Sequence, residues 1–240
     1  MTYLAKLKRW IMVLAVQAAA AQAAIGGEID VSGDVTVSSD YMFRGVSQTM
    51  SAPSLQGSFS VEHDTGAYGY LWASNVDFTD SGVPEDGAHF EVDLELGFFH
   101  EISERAAITL AWTRYFYPGT KPGVDYDYHE WLGGLVIDER HRLTIGYSRD
   151  VFGDGSPGVS YVVGTGLDLT ERTGVDVELG YYNLDHAYDM SYSYAEVSIF
   201  GRADFLDWRL SYFTTGNEAA DLFLASTIDD RVVLALGVSF

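Results

Sequence analysis

Apolar and polar residues alternate with period two through nearly the whole of this chain, a pattern that commits it to β-strands with two unlike faces. Val31, Val35, Val37, Tyr41 and Phe43 share one phase, with Ser32, Asp34, Thr36, Ser38 and Asp40 on the other. In the next segment Leu55, Phe59 and Val61 oppose Gln56, Ser58, Ser60 and Glu62. In the third, Tyr68, Tyr70, Trp72 and Val76 are assigned to the apolar phase, against Gly69, Asn75 and Asp77. A soluble sandwich also alternates, so the pattern alone does not separate the two architectures. The fourth segment does more: Phe90, Val92, Leu94, Leu96 and Phe98 alternate with Glu91, Asp93 and Glu95. One face is as apolar as a protein core and the other carries three carboxylates in a row, which suits hydrocarbon outside and water inside.

Later segments repeat the contrast. Leu143, Ile145 and Tyr147 form one set; Val159, Tyr161, Val163 and Leu167 form another, with Asp168 on the opposite phase. Val175, Val177, Leu179 and Tyr181 oppose Asp176 and Glu178. Connections alternate in length, with HDTGA, EISERA, DERHR, TERTG and the region from Asp204 to Asp207 short. GVSQTMSAPS, TDSGVPEDG, PGTKPGV, FGDGSPG, NLDHAYDM and the stretch from Thr215 to Asp230 are mostly longer and rich in Gly, Pro and Asp. Short turns at one end and longer loops at the other predict a closed antiparallel transmembrane β-barrel of about 12 strands. Residues 125–137 fit either phase, and Trp131, Leu135 and Ile137 are placed outward because the alternative puts Glu130 in hydrocarbon. Residues 222–228 are assigned to a long loop, since an odd strand count would leave the C-terminus on the wrong side of a membrane.

The N-terminus supplies the compartment. Lys6, Lys8 and Arg9 precede an apolar run from Trp10 to Val16 and then the small-residue stretch QAAAAQAA. This reads as a cleavable signal peptide over residues 1–23, with Ala21 and Ala23 forming the A-x-A pattern, and residues 24–240 as a single barrel domain. Cleavage takes the formal charge from −21 to about −24, because three bases and no acid leave. So acidic a chain is repelled by phosphate backbones, which excludes nucleic acid as a partner. With no cysteine there is neither a disulfide nor a thiolate metal site, and no cofactor is expected.

The last ten residues, RVVLALGVSF, put Val232, Leu234, Leu236, Val238 and Phe240 on one phase and end on an aromatic residue. An end of this kind resembles the signal that outer-membrane assembly machinery reads in bacterial barrels. Residues 38–78 carry a second resemblance, through Ser39, Asp40, Tyr41, Phe43, Arg44, Gly45, Ser47, Gln48, Pro53, Gln56, Gly57, Trp72, Ser74, Asn75 and Phe78. This segment is similar to the opening of the proteobacterial TorF family of porins. The resemblance implies an outer-membrane diffusion pore for small solutes, lying in lipid and lipopolysaccharide.

The expected pore-lining residues are Asp34, Asp40, Arg44, Gln56, Glu62, Asn75, Asp77, Glu91, Asp93, Glu95, Asp168, Asp176, Glu178, Glu196 and Arg209, with Arg202 as a further inward base. Asp40 and Arg44 read either as a charged constriction or as a lumen ion pair holding two strands in register. The excess of inward carboxylates favours cations if the lumen is open; in a narrow barrel the same groups can serve as hydrogen-bonded plugs. Arg114 shares the outward phase of Ile108, Leu110 and Trp112, either snorkelling to lipid phosphates or turned inward by a bulge. Tyr41, Phe43, Tyr68, Tyr117, Trp131, Tyr161 and Tyr212 read as interfacial girdles. TDSGVPED and FGDGSPG are acidic enough to consider for Ca²⁺, but neither matches a full calcium loop, and solvated surface is the favoured reading. No GxSxG or HExxH string occurs, and of His63, His89, His100, His129, His141 and His186 only His129, beside Asp127 and Glu130, suggests chemistry. The chain is therefore not expected to be an enzyme. Deleting Phe240 should lower the yield of heat-modifiable, membrane-inserted barrel at native expression, and normal insertion of that variant would remove the reading of the chain end.

Overall fold

A computed structural model describes residues 27–78 and 86–240. The segment 1–23 lies outside the described residues, as does most of TDSGVPEDG. Among the described residues twelve strands close into one antiparallel barrel. In chain order they are β1 (Ile29–Ser38), then, after a two-stranded hairpin of β2 (Met42–Phe43) and β3 (Val46–Ser47), β4 (Ser54–His63), β5 (Ala67–Asn75), β6 (Phe90–Ser103) and β7 (Ala106–Phe116). There follow β8 (Tyr128–Ile137), β9 (His141–Ser148), β10 (Gly158–Asp168), β11 (Thr173–Asn183), β12 (Ser191–Ala203), β13 (Leu206–Thr215) and β14 (Arg231–Ser239). Each barrel strand pairs with its successor in the chain, β1 with β4, and the circle closes where β14 returns to β1, Val238 facing Val35 and Leu236 facing Val37.

All the short connections lie at one end and the long ones at the other. At the short-turn end Arg105 pairs with Asp138 across two turns, with Nε to Oδ1 at 2.5 Å. That hydrogen bond holds the exposed Asp138 carboxyl below its ordinary range. Residues 222–228 do belong to a loop, which carries a helical turn at Ala225–Ile228, so the strand count stays even. In β8 Trp131 and Ile137 are exposed on the outer face, Leu135 shares their phase, and Glu130 is fully buried inside.

The outer face is an apolar belt. Val37, Leu71, Leu94, Leu110, Leu179, Leu210 and Leu234 all lie on it, and Val232 is 63% exposed. An exposed band this continuous has no counterpart on an ordinary soluble domain, where such residues would be in the core.

Two parts of the alternation run differently from the sequence reading. First, β1 stops at Ser38: Ser38 Oγ donates to the Asp40 carbonyl at 2.7 Å, and the Asp40 carboxylate accepts from Ser47 Oγ and Thr49 Oγ1. These local side-chain bonds bend the backbone out of the ladder. Tyr41 and Phe43 therefore sit inside the barrel and not on a membrane girdle, and Asp40 and Arg44 belong to the loop and not to the first strand. Second, the phase of β5 is inverted. Tyr68, Tyr70 and Trp72 point inward, in register with Gly97, Glu95 and Asp93, while Leu71 is 44% exposed outside. Inside, a carboxylate accepts a hydrogen bond from the Tyr68 phenol, Oη to Glu95 Oε1 at 2.8 Å. Asn75 consequently falls on the outward phase, where Oδ1 accepts from the Leu55 amide at 2.7 Å, and Asp77 lies beyond the strand end. Tyr117 is likewise interior, bonded to Glu91, whereas Trp131, Tyr161 and Tyr212 stay on the outer face.

In a lipid bilayer Leu71→Arg, a cation in the middle of the apolar belt, should cost about 2–4 kcal/mol of unfolding free energy. Gln56→Arg, on the inner face of the adjacent strand, should cost much less. Equal losses in denaturant titrations of the two reconstituted variants would overturn the face assignment.

Candidate functional site: the barrel interior

The loop between β1 and β4 does not extend away from the barrel but folds into it. Its tip is the two-residue turn Arg44-Gly45, with φ of 49° and 79°. Positive φ at both positions gives the twist a tight hairpin needs, but it is uncommon at a bulky residue and calls for compensation. Arg44 finds it on the opposite wall. Its Nη1 and Nη2 donate to Glu130 Oε1 and Oε2 on β8 at 2.9 and 2.6 Å. The guanidinium also lies 4.7 Å from the Phe43 ring centroid and 4.4 Å from that of Tyr182. The ion pair is nearly dry, with side-chain exposures of 9% and 0%. Gly45 lies against Tyr194 and its carbonyl accepts from Thr215 Oγ1 at 2.6 Å, so no larger residue fits there without displacing β12.

A second anchor holds the base of the same loop. Arg231 Nη1 donates to Asp40 Oδ2 and to Ser51 Oγ, each at 2.6 Å, and Nη2 donates to the Ser226 carbonyl. The loop thus spans the lumen from β1 to β8 and is tied at both ends by arginine.

Around this strap the loop-end half of the barrel is packed with aromatic rings. Tyr115 and Tyr128 stack at 4.4 Å, Tyr41 lies 4.9 Å from Trp72, and Phe152 from another loop bridges Tyr128 and Tyr182. Tyr192 and Tyr194 fill the space under the last loop. At that rim burial, with Asp154 nearby, pushes the Tyr188 phenol up to about 12, so it is a neutral wall group at physiological pH.

The short-turn half is emptier. A cavity of about 670 Å³ opens there, lined by Asp34, Gln56, Tyr70, Trp72, Phe200 and Arg209 among others. A smaller space of about 220 Å³, which shares Gln56 and Arg209, continues it toward Asp40 and Tyr41.

Of the residues expected inside, Asp34, Glu91 and Asp176 are buried within the barrel, and Asp168 lies at the rim of the larger cavity. Glu62, Asp93 and Glu95 occupy the inner phase of β4 and β6. Arg209 binds Glu196 at 2.9 Å and approaches Asp176 at 3.6 Å, while Arg202 clasps Asp207 near the mouth. Asn75 and Asp77 are the exceptions noted above. Sequence reasoning missed Arg142, which binds Asp176 at 2.5 Å and Glu178 at 3.1 Å. Its phase with Thr144 and Gly146 was a usable signal. The partnership of Arg44 with Glu130 had no local signal, because the two are 86 residues apart. Arg114 keeps its outward phase with no bulge beside it, and pairs with Asp127 at 3.3 Å. His129 and Glu130 point to opposite faces of β8, so the one suggestive histidine is not assembled with that acid into a site. Among the described residues no group of three His, Asp or Glu is close enough to hold a metal ion.

A family profile described as "Bacterial protein of unknown function (Gcw_chp)" matches residues 20–231. The chain belongs to the Gcw_chp family. That description carries no porin name and does not mention TorF. A search of curated proteins gives no significant match. Solved structures similar to this Gcw_chp chain include the NanC porin, at a TM-score of 0.55 and 10% identity, covering 87% of this chain and 98% of that one. The KdgM porin is similar at a TM-score of 0.53 and 7% identity, covering 87% and 97%. A second KdgM structure, described as in complex with disordered oligogalacturonate, scores 0.52. At such identities the likeness is one of fold.

Glu130→Gln leaves Arg44 buried without a counter-charge and should destabilise the strap by about 3–5 kcal/mol, whereas replacing both partners, Arg44→Met with Glu130→Gln, should recover part of the loss. Urea unfolding of the refolded barrel, with proteolysis of the 39–53 loop as a second readout, measures it. Strict additivity of the two changes would show that the pair is not coupled.

Proposed function

We propose that this protein is a passive channel for small solutes in the bacterial outer membrane, with a preference for cations. The observation that carries the reading is the pairing of an apolar outer belt with a polar, net acidic cavity of about 670 Å³ running inward from the short-turn end. Glu91, Asp93, Glu95 and Asp34 project into the barrel, and the arginines assigned to the same interior are engaged by Glu130, Asp176, Glu178, Glu196 and Asp207. Charges in a narrow, low-dielectric lumen are screened far less than loop charges, so the carboxylates on the wall set selectivity. A polyanion such as the oligogalacturonate of the KdgM structure would meet this wall unfavourably.

In this reading a signal peptide ending at Ala23 is removed, the short turns face the periplasm, and the strand ending in Phe240 is the signal for the assembly machinery. The outer face lies in lipid, with lipopolysaccharide at the loop end, where Arg114 and Tyr212 stand. Passage of solute requires the strap through Arg44 to move aside.

The same strap and the aromatic packing behind it favour a second reading, a structural or adhesive barrel with a plugged lumen. Planar-bilayer recording of the refolded protein separates the two. A channel should show cation-selective reversal potentials under a salt gradient, weakened by the combined Glu91→Gln, Asp93→Asn and Glu95→Gln changes and by lowering pH until the carboxylates protonate. Anion selectivity would overturn the charge assignment. Absence of conductance both in the native protein and in Arg44→Ala would support the plugged barrel.

A further inference from the structure

The larger cavity has one wall unlike the rest. On β1, Asp34 is 5% exposed, and Thr36 Oγ1 donates to its Oδ2 at 2.6 Å. No arginine or lysine forms an ion pair with it among the described residues. Two strands along, Tyr70 and Trp72 turn their rings inward to line the same cavity, and Tyr41 supports the indole from the loop side. Asp34, Ser58 and Trp72 stand in register across β1, β4 and β5, with the Ser58 side chain between them. The next residue in that row is Asp93 on β6, whose Oδ1 is buried and unpartnered. The row thus holds a carboxylate without a counter-ion, an aromatic face and a second carboxylate behind it. The arginines that line the cavity are already matched: Arg209 by Glu196, Arg202 by Asp207. Arg172 stands at the mouth, where Asp168, Glu171 and Asp204 share the rim.

We infer that this wall is a binding site for small organic cations, alkyl- or arylalkylammonium compounds. An ammonium group there would donate to Asp34 while its carbon chain and remaining charge lie against Tyr70 and Trp72, combining an ion pair with a cation–π contact in partly desolvated surroundings. A bare metal ion is the poorer match. Asp34 and Asp93 are three strand spacings apart, roughly 14 Å along the wall, which is too far to chelate one ion. An anion would find Arg209 and Arg202 occupied and Arg172 at the mouth, away from this wall. The inference deepens the channel reading by naming a solute class, and it needs only that the cavity be reachable by solute, not that current flow through it.

The test is isothermal titration of the refolded, full barrel in detergent with 1,4-diaminobutane at fixed ionic strength, alongside N,N′-diacetyl-1,4-diaminobutane on the same unaltered protein. The site predicts saturable binding of the diamine and none of its uncharged diacetyl form. Asp34→Asn should weaken binding by about tenfold or more and Trp72→Leu by several-fold, with Asp168→Asn at the mouth changing it little. Equal binding of the two compounds, no saturable binding of the diamine, or an unchanged affinity in a correctly folded Asp34→Asn barrel would overturn the site. Conductance without diamine binding would leave the channel and remove the site; diamine binding without conductance in either the native protein or Arg44→Ala would support the site and remove the channel.

Discussion

The circle of backbone hydrogen bonds is the constraint on which everything else in this structure depends. A sheet with a free edge leaves a row of unpaired amides and carbonyls, which is costly wherever water does not reach them, and here the twelfth strand returns to the first. Pairing of β14 with β1 meets that requirement, and closure then divides every strand into an outer and an inner set of side chains. The outer set is apolar, so the polar groups of the strands collect inside.

A barrel of this size has room for only part of what closure sends inward, and the interior is organised by how its charges are neutralised. Arginines supplied from different places do this work: Arg142 and Arg209 from the strands, Arg44 from a loop that crosses the lumen, Arg231 from the start of the last strand. Planar guanidinium groups suit the task because each can grip a carboxylate with two parallel bonds and still stack on a ring, as Arg44 does between Phe43 and Tyr182. The distribution is uneven. The loop-end half has its ion pairs enclosed by tyrosines, while the short-turn half retains open volume, with Arg142, Arg202 and Arg209 paired to acids and Asp34 left without a base. The acidic, partly aromatic wall around Asp34 belongs to that second half.

Where the sequence reading succeeded and where it failed follows from the range of the forces involved. In β6 and β11 acids alternate with large aliphatics, and burial of charge in hydrocarbon is so costly that only one phase is possible. In β5 the competing residues were Tyr, Trp, Gly and Asn. An aromatic ring is stable against lipid or against a lumen that offers its hydroxyl a partner, so composition could not choose between the faces. The deciding group was Glu95, which sits on another strand and accepts a hydrogen bond from the Tyr68 hydroxyl. The first strand posed a similar problem: alternation continues past Ser38, but Ser47 and Thr49 draw Asp40 into a local network that ends the ladder there.

The sequence by itself determined that this chain is a closed antiparallel barrel of about a dozen strands with short turns at one end, because period-two patterning and connection lengths are local properties written along the chain. It also determined which carboxylates face inward on the strands that carry strong aliphatic partners. Only the tertiary structure decided that the loop bearing Arg44 folds inward to meet Glu130, that the tyrosines of β7, β8, β11 and β12 pack around it, and that Asp34 and Trp72 share a cavity wall. Those arrangements join residues tens to more than a hundred positions apart, and their energies come from desolvation and partner geometry across the lumen, which no short window of sequence contains.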